Sequence, residues 1–195
     1  MRKMLILAFC VSVVTSHSAL AQEKGFATGI VGLSFAETTS GIFGAEAGFS
    51  INNSIQIVGV YENMRDVTTS DFLQLLSLTS RVTNLRIEGK LPAQYLAAGV
   101  RYNYSAGGNI VPYFQFDAGV GKIDPALRFF KDGEDITDEV DPQLDETNGA
   151  LGLSAGVRVN VSERMTVGGA FKWVNIFTEE TLKINTLHFS IGVRF

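Results

Sequence analysis

Two polar residues near the carboxyl terminus have the types and the spacing of a base and a nucleophile. His188 and Ser190 are two positions apart, so on a β-strand their side chains would share one face, where the histidine could take the serine proton. A catalytic pair of this kind also needs a carboxylate that orients the imidazole, and no acidic residue can be assigned to that role from the sequence. We therefore expect no catalytic residue and a protein that is not an enzyme.

Metal-binding and thiol chemistry have almost no candidates. Cys10 is the only cysteine, and the two histidines are His17 and His188. The segment 121–150 is rich in carboxylates, but it lacks the spaced ligands and the central glycine of a helix-loop-helix calcium site. A solvated acidic surface is the simpler interpretation, so we expect no metal and no cofactor.

The first 21 residues have the pattern of a secretory signal. Arg2 and Lys3 supply the positive charge, residues 4–14 form the apolar segment, and small residues precede a cleavage site after Ala21. The apolar run is shorter than the roughly 20 residues that a membrane-spanning helix needs. The sequence therefore predicts that this segment is removed and that the mature domain comprises residues 22–195.

Cys10 gives the same segment a second interpretation, as a site of lipid attachment, which the bulky Phe9 before it disfavours. Removal of the segment takes away Cys10, His17 and two basic residues. The mature chain then keeps 14 basic and 20 acidic residues, a net charge of −6. This balance does not favour nucleic-acid binding.

The rest of the chain alternates apolar and polar residues with a period of two, which is typical of β-strands. In the last segment, for example, Leu187, Phe189 and Ile191 would share one face. The eight predicted strands are residues 27–35, 42–51, 55–61, 95–104, 110–120, 151–161, 165–173 and 187–195.

The connections between these strands are alternately short and longer, and both termini fall on the side of the short turns. This arrangement predicts an all-β fold, an eight-stranded antiparallel up-and-down transmembrane β-barrel with its turns in the periplasm and its loops outside. The short turns are residues 52–54, 105–109 and 162–163, and the longer loops are residues 36–41, 62–94, 121–150 and 174–186.

The polar face of the strands decides between a membrane barrel and a soluble one. A soluble, lipocalin-like ligand binder would turn this face to water, and it should then be rich in Lys and Glu. Here the polar face carries mostly Gly, Ala, Ser, Thr and Asn, which suit the narrow interior of an eight-stranded barrel. We therefore expect the apolar face to contact lipid.

The charged residues on the polar face have nearly balanced signs. Opposite charges could pair across the lumen and fill it, an arrangement that we favour over a gated or selective pore. On the lipid face, each Arg or Lys would cost about 2–4 kcal/mol at mid-depth. The residues assigned to this lumen charge network are Glu46, Glu62, Arg101, Asp117, Arg158, Lys172 and Arg194.

Two of the loops are long enough to carry structure of their own. In loop 121–150, the dipeptide Asp132-Gly133 predicts a two-residue hairpin turn. In loop 62–94, a leucine-rich segment follows Ser70 and Asp71, either of which could cap a helix. Both loops are candidate sites for an extracellular partner.

The signal segment, the eight alternating strands and the closing segment 187–195 together resemble the small outer-membrane β-barrel proteins, the group typified by the transmembrane domain of outer membrane protein A. The resemblance covers the whole mature chain and rests on pattern. It implies that the barrel-assembly machinery reads the last strand during insertion. The residues of this assembly signal would be Phe189, Ile191, Val193 and Phe195.

The expected function is that of a non-enzymatic, monomeric protein of the bacterial outer membrane, with a filled lumen. Loops 62–94 and 121–150 would contact lipopolysaccharide, other envelope components or an external partner. A narrow, porin-like channel is the main alternative. A lipid A esterase is less favoured, because the alternation turns His188 and Ser190 into the lumen, although some outer-membrane esterases have a His and a Ser at this spacing.

Overall fold

The computed structural model of the protein describes residues 25–36, 38–83, 85–104, 108–132, 134–137, 146–178 and 181–195. The predicted signal segment lies outside the described residues. Within the described ranges the chain forms eleven strands and one helix. They are β1 (Gly25–Phe35), β2 (Thr39–Ser50), β3 (Ile55–Met64), α1 (Ser70–Thr83), β4 (Arg86–Lys90), β5 (Ala93–Asn103), β6 (Ile110–Ile123), β7 (Ala126–Lys131), β8 (Glu134–Asp135), β9 (Glu146–Asn160), β10 (Met165–Ile176) and β11 (Leu182–Arg194).

Eight of the strands close into an antiparallel barrel, in the order β1, β2, β3, β5, β6, β9, β10 and β11. The first and last strands complete the ring through pairs that run from Phe26 with Arg194 to Phe35 with Asn185. Each barrel strand pairs with the barrel strands that precede and follow it, so the chain runs up and down around the wall. The predicted fold and all eight predicted strands are therefore confirmed.

Apolar side chains cover the outside of the wall. On β6 the side chain of Phe114 is 65% exposed, and on β11 that of Ile191 is 64% exposed. A water-soluble barrel would bury such residues, so the lipocalin-like alternative is wrong. Exposed rings occur near both ends of the wall, with Tyr61 and Trp173 towards the loops and Tyr102 towards the turns. These are the depths at which membrane barrels carry their aromatic belts.

Several strands run beyond their predicted ends on the loop side, where the alternation of the sequence changes phase. Met64, Ile176 and Leu182 point inward there and are buried, whereas Asn175 and Lys183 face outward. Above the membrane the outer face of the wall meets water, so polar residues belong outside and apolar residues inside. A search for strands with an apolar outer face therefore misses the strand ends that lie above the membrane.

The two long loops fold against each other above the barrel. Strand β4 of the first loop pairs with β7 of the second, and β7 pairs with β8. Helix α1 packs on β4 near Gly89, where an added Cβ would lie 3.0 Å from Leu76 and 3.2 Å from Phe72. We call α1, β4, β7 and β8 the extracellular module, because the sequence predicts that both loops lie outside the cell. Helix α1 is too short and too polar to cross a membrane.

The extracellular module continues the barrel wall. Ala93 pairs with Ile123 at the end of the β5 and β6 ladder, and three residues further along each strand Lys90 pairs with Ala126 in the same register. The interruption falls at Pro92 and at the proline before Ala126, which have no N–H to donate. Across it, the N–H of Asp124 still donates to the carbonyl of Pro92 at 3.1 Å.

The predicted hairpin in loop 121–150 is confirmed. Lys131 pairs with Glu134, so the chain reverses within the two positions predicted for the turn. Asp132 has a φ of 52°, the left-handed region that a turn of this kind uses and that Asp tolerates better than most residues.

The predicted caps of the helix in loop 62–94 are wrong, Ser70 by one position and Asp71 by two. The residue that caps α1 is Thr69, whose Oγ1 accepts a hydrogen bond from the N–H of Phe72 at 3.3 Å. The carbonyl of Thr69 also accepts the first helical hydrogen bond. Ser70 and Asp71 are therefore already inside the first turn.

Candidate functional site: the lumen and the extracellular module

The part of the lumen nearest the loops is an apolar layer. Val67 and Leu91, which belong to the loops and not to the barrel strands, cover this layer on the loop side. The N–H of Val67 donates to the carbonyl of Leu91 at 2.8 Å. Both are buried beneath the extracellular module. The inward-facing members of the layer include Met64, Ala93, Ile123, Val174, Ile176 and Ile184.

Asp66 holds the segment that closes this layer. Its Oδ1 accepts hydrogen bonds from the N–H of Thr68 at 3.0 Å and from that of Leu91 at 3.3 Å. The Oγ of Ser40, at the start of β2, donates to the carbonyl of Asp66 at 2.7 Å. The chain that leaves β3 is thus tied both to the rim of the barrel and to the base of the extracellular module.

Lys172 occupies the centre of the charged layer below. Its Nζ donates to Oε1 of Glu62 at 2.7 Å and lies 3.3 Å from Oδ2 of Asp117. The ammonium also lies 4.3 Å from the centre of the Tyr95 ring. The Lys172 side chain is 1% exposed, and those of both carboxylates are 0% exposed. Strands β10, β3, β6 and β5 each supply one of these four groups.

Gly152 makes room for this layer. A Cβ at this position would lie 2.7 Å from the Tyr95 hydroxyl and 3.1 Å from Oδ2 of Asp117. Strand β9 therefore presents bare backbone where two polar groups from its neighbours converge. The sequence pattern placed a small residue here without indicating which side chains need the space.

Arg101 and Glu46 form a second ion pair nearer the turns. The Nε of Arg101 donates to Oε1 of Gln115 at 2.6 Å, and the Nε2 of Gln115 donates to Oδ1 of Asp117 at 2.8 Å. Gln115 thereby joins the two charged layers. Reasoning from charge alone missed it, although its position two residues before Asp117 gives it the same inward face.

Two residues assigned to the lumen network have other partners. The guanidinium of Arg158 donates to Oδ1 of Asn103 at 3.1 Å and to Oε1 of Gln56 at 3.4 Å, so its hydrogen bonds go to amides. Arg194 lies at the rim on the side of the turns, where its Nη2 donates to the carbonyl of Ser162 at 3.2 Å. The structure thus brings Glu46, Glu62, Arg101, Asp117 and Lys172 together and leaves these two arginines outside the cluster.

His188 and Ser190 both point into the lumen. The Nε2 of His188 shares a hydrogen bond with Oγ1 of Thr186 at 2.8 Å and lies 4.0 Å from Oε1 of Glu62. Glu62 is thus the carboxylate beside the imidazole, but it makes no hydrogen bond with it, and the same oxygen already accepts from Lys172. His188 is buried on this inner face, away from the surface that membrane acyl chains touch.

The last strand ends on the first. Phe195 and Gly25 exchange two backbone hydrogen bonds of 2.9 Å, and the aromatic ring covers the glycine so closely that a Cβ there would lie 2.5 Å from it. The other residues of the proposed assembly signal, Phe189, Ile191 and Val193, are exposed on the outer wall.

The extracellular module has one face of exposed apolar residues. Leu75, Leu78 and Val82 recur at helical spacing along α1 and are 60%, 54% and 87% exposed, whereas Phe72 and Leu76 are half-buried. The described residues contain no group of three or more His, Cys, Asp or Glu that could hold a metal ion.

The β7–β8 hairpin of the module ends on a local hydrogen-bonded motif. The hydroxyl and the N–H of Thr137 both donate to Oδ1 of Asp135, and these bonds hold the pKa of Asp135 below its ordinary value. The Oγ1 of Thr137 in turn accepts from the N–H of Phe129 at 3.0 Å.

The closed eight-stranded wall, its apolar outside and its filled interior define an integral β-barrel of an outer membrane. Residues 6–195 match the family model of the outer membrane protein beta-barrel domain, and the chain belongs to that family. The protein accordingly resides in the outer membrane. No curated protein has a sequence that matches it.

Solved structures with the same fold include three outer-membrane proteins. Neisserial surface protein A is 14% identical, with 87% of this chain and 94% of that chain covered and a TM-score of 0.53. Ail, the attachment invasion locus protein of Yersinia pestis, is 16% identical, with coverages of 89% and 100% and a TM-score of 0.53. A major outer membrane protein from Thermus thermophilus is 10% identical, with coverages of 88% and 99% and a TM-score of 0.56. Identities this low establish a shared fold alone.

Proposed function

We propose that the protein is a non-enzymatic anchor whose barrel holds the extracellular module at the cell surface, where the module contacts lipopolysaccharide or an external partner. The observation that carries this proposal is the union of loops 62–94 and 121–150 in one ladder that continues β5 and β6 without a change of register. A platform fixed to rigid strands presents the same surface to every partner, which specific binding requires. Loops that served only as connections would need no such structure.

The stripe of Leu75, Leu78 and Val82 supports a binding role for the module. Apolar residues that point into water are costly for solubility, and grouped exposed residues of this kind mark interaction surfaces. The helix already packs the half-buried Phe72 and Leu76 against β4, so these three residues are not needed for its packing on the module.

The filled lumen favours an anchor over a narrow channel. The ion pair between Lys172 and Glu62 is buried, and an apolar layer closed by Val67 lies between it and the extracellular side. An ion on this route would have to displace paired charges and then cross an apolar layer, both of which oppose permeation. The lumen charge network is therefore proposed as a structural filling of the barrel.

The orientation of His188 and Ser190 supports the non-enzymatic part of the proposal. A lipid A esterase needs its nucleophile where an acyl chain can reach it, whereas these two side chains lie inside the wall. Assays of lipid A deacylation with the purified protein and with Ser190→Ala should give the same background rate. Deacylation that the substitution abolishes would overturn this assignment.

The exposed side chains of Phe189, Ile191, Val193 and Phe195 suit a role as the signal that the barrel-assembly machinery reads. This signal is no longer accessible in the same way once Phe195 packs on Gly25 and the first and last strands close the barrel. Phe195→Ala should slow assembly in cells, measured as loss of the compact, heat-sensitive band on gels. Assembly at the rate of the unmodified chain would remove Phe195 from the signal.

Photo-crosslinking in living cells tests the binding role of the module. A photoreactive residue at Leu75, Leu78 or Val82 should give a defined adduct with lipopolysaccharide or with one protein. The matched control is the same residue at Ile51, which is exposed in a turn on the opposite side of the membrane. If no position on α1 gives an adduct while the protein is folded in the outer membrane, the module is not a binding surface.

A further inference from the structure

The lumen is more open towards the turns than at its centre. At the centre, the side chains of Glu62, Asp117 and Lys172 are buried. Towards the turns, Thr28 of β1 and Ser190 of β11 also face inward, yet both are only half-buried. The inward-facing side chains at this level therefore border space that solvent can enter. We call this space the turn-side pocket, and the residues that carry the argument are Thr28, Arg158, Thr166, Ser190 and Arg194.

Two arginines reach this pocket without a carboxylate partner. The lumen charge network contains four cations and three carboxylates, and Lys172 and Arg101 already pair with all three carboxylates. Arg158 donates only to two side-chain amides, and Arg194 donates only to a backbone carbonyl. Within the described ranges neither guanidinium has an ion pair, so two positive charges at the turn side of the lumen are left without compensation.

Each of these two guanidiniums also keeps a buried N–H group without an acceptor. The Nε atoms of Arg158 and Arg194 are both buried and make no hydrogen bond. Buried N–H groups in proteins nearly always have a partner, and a charged donor is especially costly to leave unpaired. A negatively charged acceptor in the pocket would satisfy both N–H groups and compensate both charges.

Three hydroxyl groups surround the space beside the arginines. A Cβ at Gly192 would lie 2.6 Å from Oγ1 of Thr28 and 2.9 Å from Oγ1 of Thr166. A Cβ at Gly168 would lie 3.0 Å from Oγ of Ser190. No hydrogen bond of these hydroxyls is found in the described part of the chain, so each can turn its hydrogen towards a ligand.

The two glycines place these hydroxyls next to the arginines. Gly168 pairs with Arg158 in the ladder of β9 and β10. Gly192 is two residues before Arg194 in β11, so the two residues share the inner face of that strand. Strands β1, β9, β10 and β11 thus bring hydroxyl and guanidinium donors to one part of the inner wall.

We propose that the turn-side pocket binds a phosphate ion that enters from the periplasmic side. Arg158 and Arg194 supply the charge and the two Nε–H donors, and the three hydroxyls supply further donors. Phosphate suits this set better than a carboxylate does, because it has more acceptor oxygens and a larger negative charge. The buried pair of Arg101 and Glu46 lies between the pocket and the centre of the lumen, so the ion binds without passing through.

This site lies at the opposite end of the barrel from the extracellular module. It needs no contact of the module with lipopolysaccharide or with a partner, so it stands or falls separately from the proposed surface function.

An NMR titration of the folded protein in lipid nanodiscs tests the site, because arginine Nε–H groups give their own signals. Those of Arg158 and Arg194 should shift saturably with sodium phosphate, and sodium chloride at the same ionic strength should not move them. Arg158→Gln, followed at Arg194, should weaken binding roughly tenfold to hundredfold, and Thr166→Val about three- to tenfold. Arg164→Gln, which removes an exposed charge from the adjacent turn, is the matched control and should leave the affinity unchanged.

Each other outcome overturns the proposal. Signals that stay in place, or that shift without saturation, would mean that water alone satisfies the arginines. An equal loss of affinity in Arg164→Gln would reduce the effect to general attraction by basic residues. Saturable shifts with sodium acetate and none with phosphate would contradict the choice of ligand. If Arg158→Gln fails to fold, Thr166→Val decides, because it keeps the shape of the side chain and an unchanged affinity would exclude the site.

Discussion

Lys172 is the residue on which the buried charges of the lumen depend most. It contacts Glu62 and Asp117 at the same time, and it is the cation nearest to both. The signs of these charges and their inward faces follow from the sequence, because alternation fixes the face of each strand residue. The pairings do not, since they depend on how neighbouring strands are shifted and on uncharged residues such as Gln115.

Removal of Lys172 should therefore be costly. Lys172→Met leaves two buried carboxylates without their cation, and we expect a loss of about 3–5 kcal/mol in the free energy of unfolding, measured by urea unfolding in lipid vesicles. Adding Glu62→Gln to this variant should restore part of the loss. Arg86→Ala, which breaks an exposed ion pair with Glu88, is the control and should cost about 0–1 kcal/mol. Equal costs for the two cations would contradict the buried pairing.

Gly152 and Gly169 form a matched pair for testing the interior packing. Gly152→Ala drives a methyl group against Tyr95 and Asp117, so it should cost about 1–3 kcal/mol by the same measurement. Gly169→Ala places its methyl group on the outer wall, at least 3.5 Å from its nearest neighbour, and should change stability by no more than about 0.5 kcal/mol. A reversed order would mean that the faces of the wall are misassigned.

At the scale of elements, the eight barrel strands and the β7–β8 hairpin could be predicted because each has a local pattern. The strand ends above the membrane could not be predicted, because the surroundings of the outer face change there from lipid to water. The alternation of apolar and polar residues therefore inverts around Ile176 and Leu182. The pairing of β4 with β7 was also beyond the sequence, because it joins two loops whose residues are far apart in the chain. The pairing of β4 with β7 follows from the register of β5 and β6, which continues into these two strands.

The cap of α1 gives a direct test of the helix boundary. Thr69→Ala removes the hydroxyl that accepts from the N–H of Phe72, and it should destabilise the helix by about 1 kcal/mol, measured by amide hydrogen exchange in the first turn. Ser70→Ala is the matched control, because that residue lies inside the helix. Faster exchange in the Ser70 variant and none in the Thr69 variant would move the cap back to the predicted position.

The β7–β8 hairpin should respond to pH through Asp135. Because the hydrogen bonds from Thr137 lower the pKa of this carboxyl, the stabilisation that they give is complete above the ordinary carboxyl pKa and is lost as the pH falls through the lowered value. Thr137→Val removes the hydroxyl donor, so the pKa of Asp135 should rise, as followed by NMR titration. Thr137→Ser keeps a hydroxyl and should leave the pKa low. An unchanged pKa in the valine variant would exclude the side-chain bond.

At the scale of the whole molecule, buried side chains occupy the lumen of the barrel in two layers. Its lumen carries paired charges at the centre and an apolar layer towards the loops, which Val67 and Leu91 close under the extracellular module. The ladder of β5 and β6 continues beyond the barrel as the pair β4 and β7, which forms the base of that module. In the proposed function these two parts have separate tasks, in which the barrel fixes the protein in the membrane and the module meets the surroundings.

Conductance of the purified, folded full chain in planar lipid bilayers tests this account most directly. The protein should insert, as shown by its heat-sensitive migration on gels, and give no steady openings, because the charged and apolar layers leave no continuous route for an ion. Long-lived openings of uniform size would contradict the filled lumen and make a narrow channel the function of the barrel.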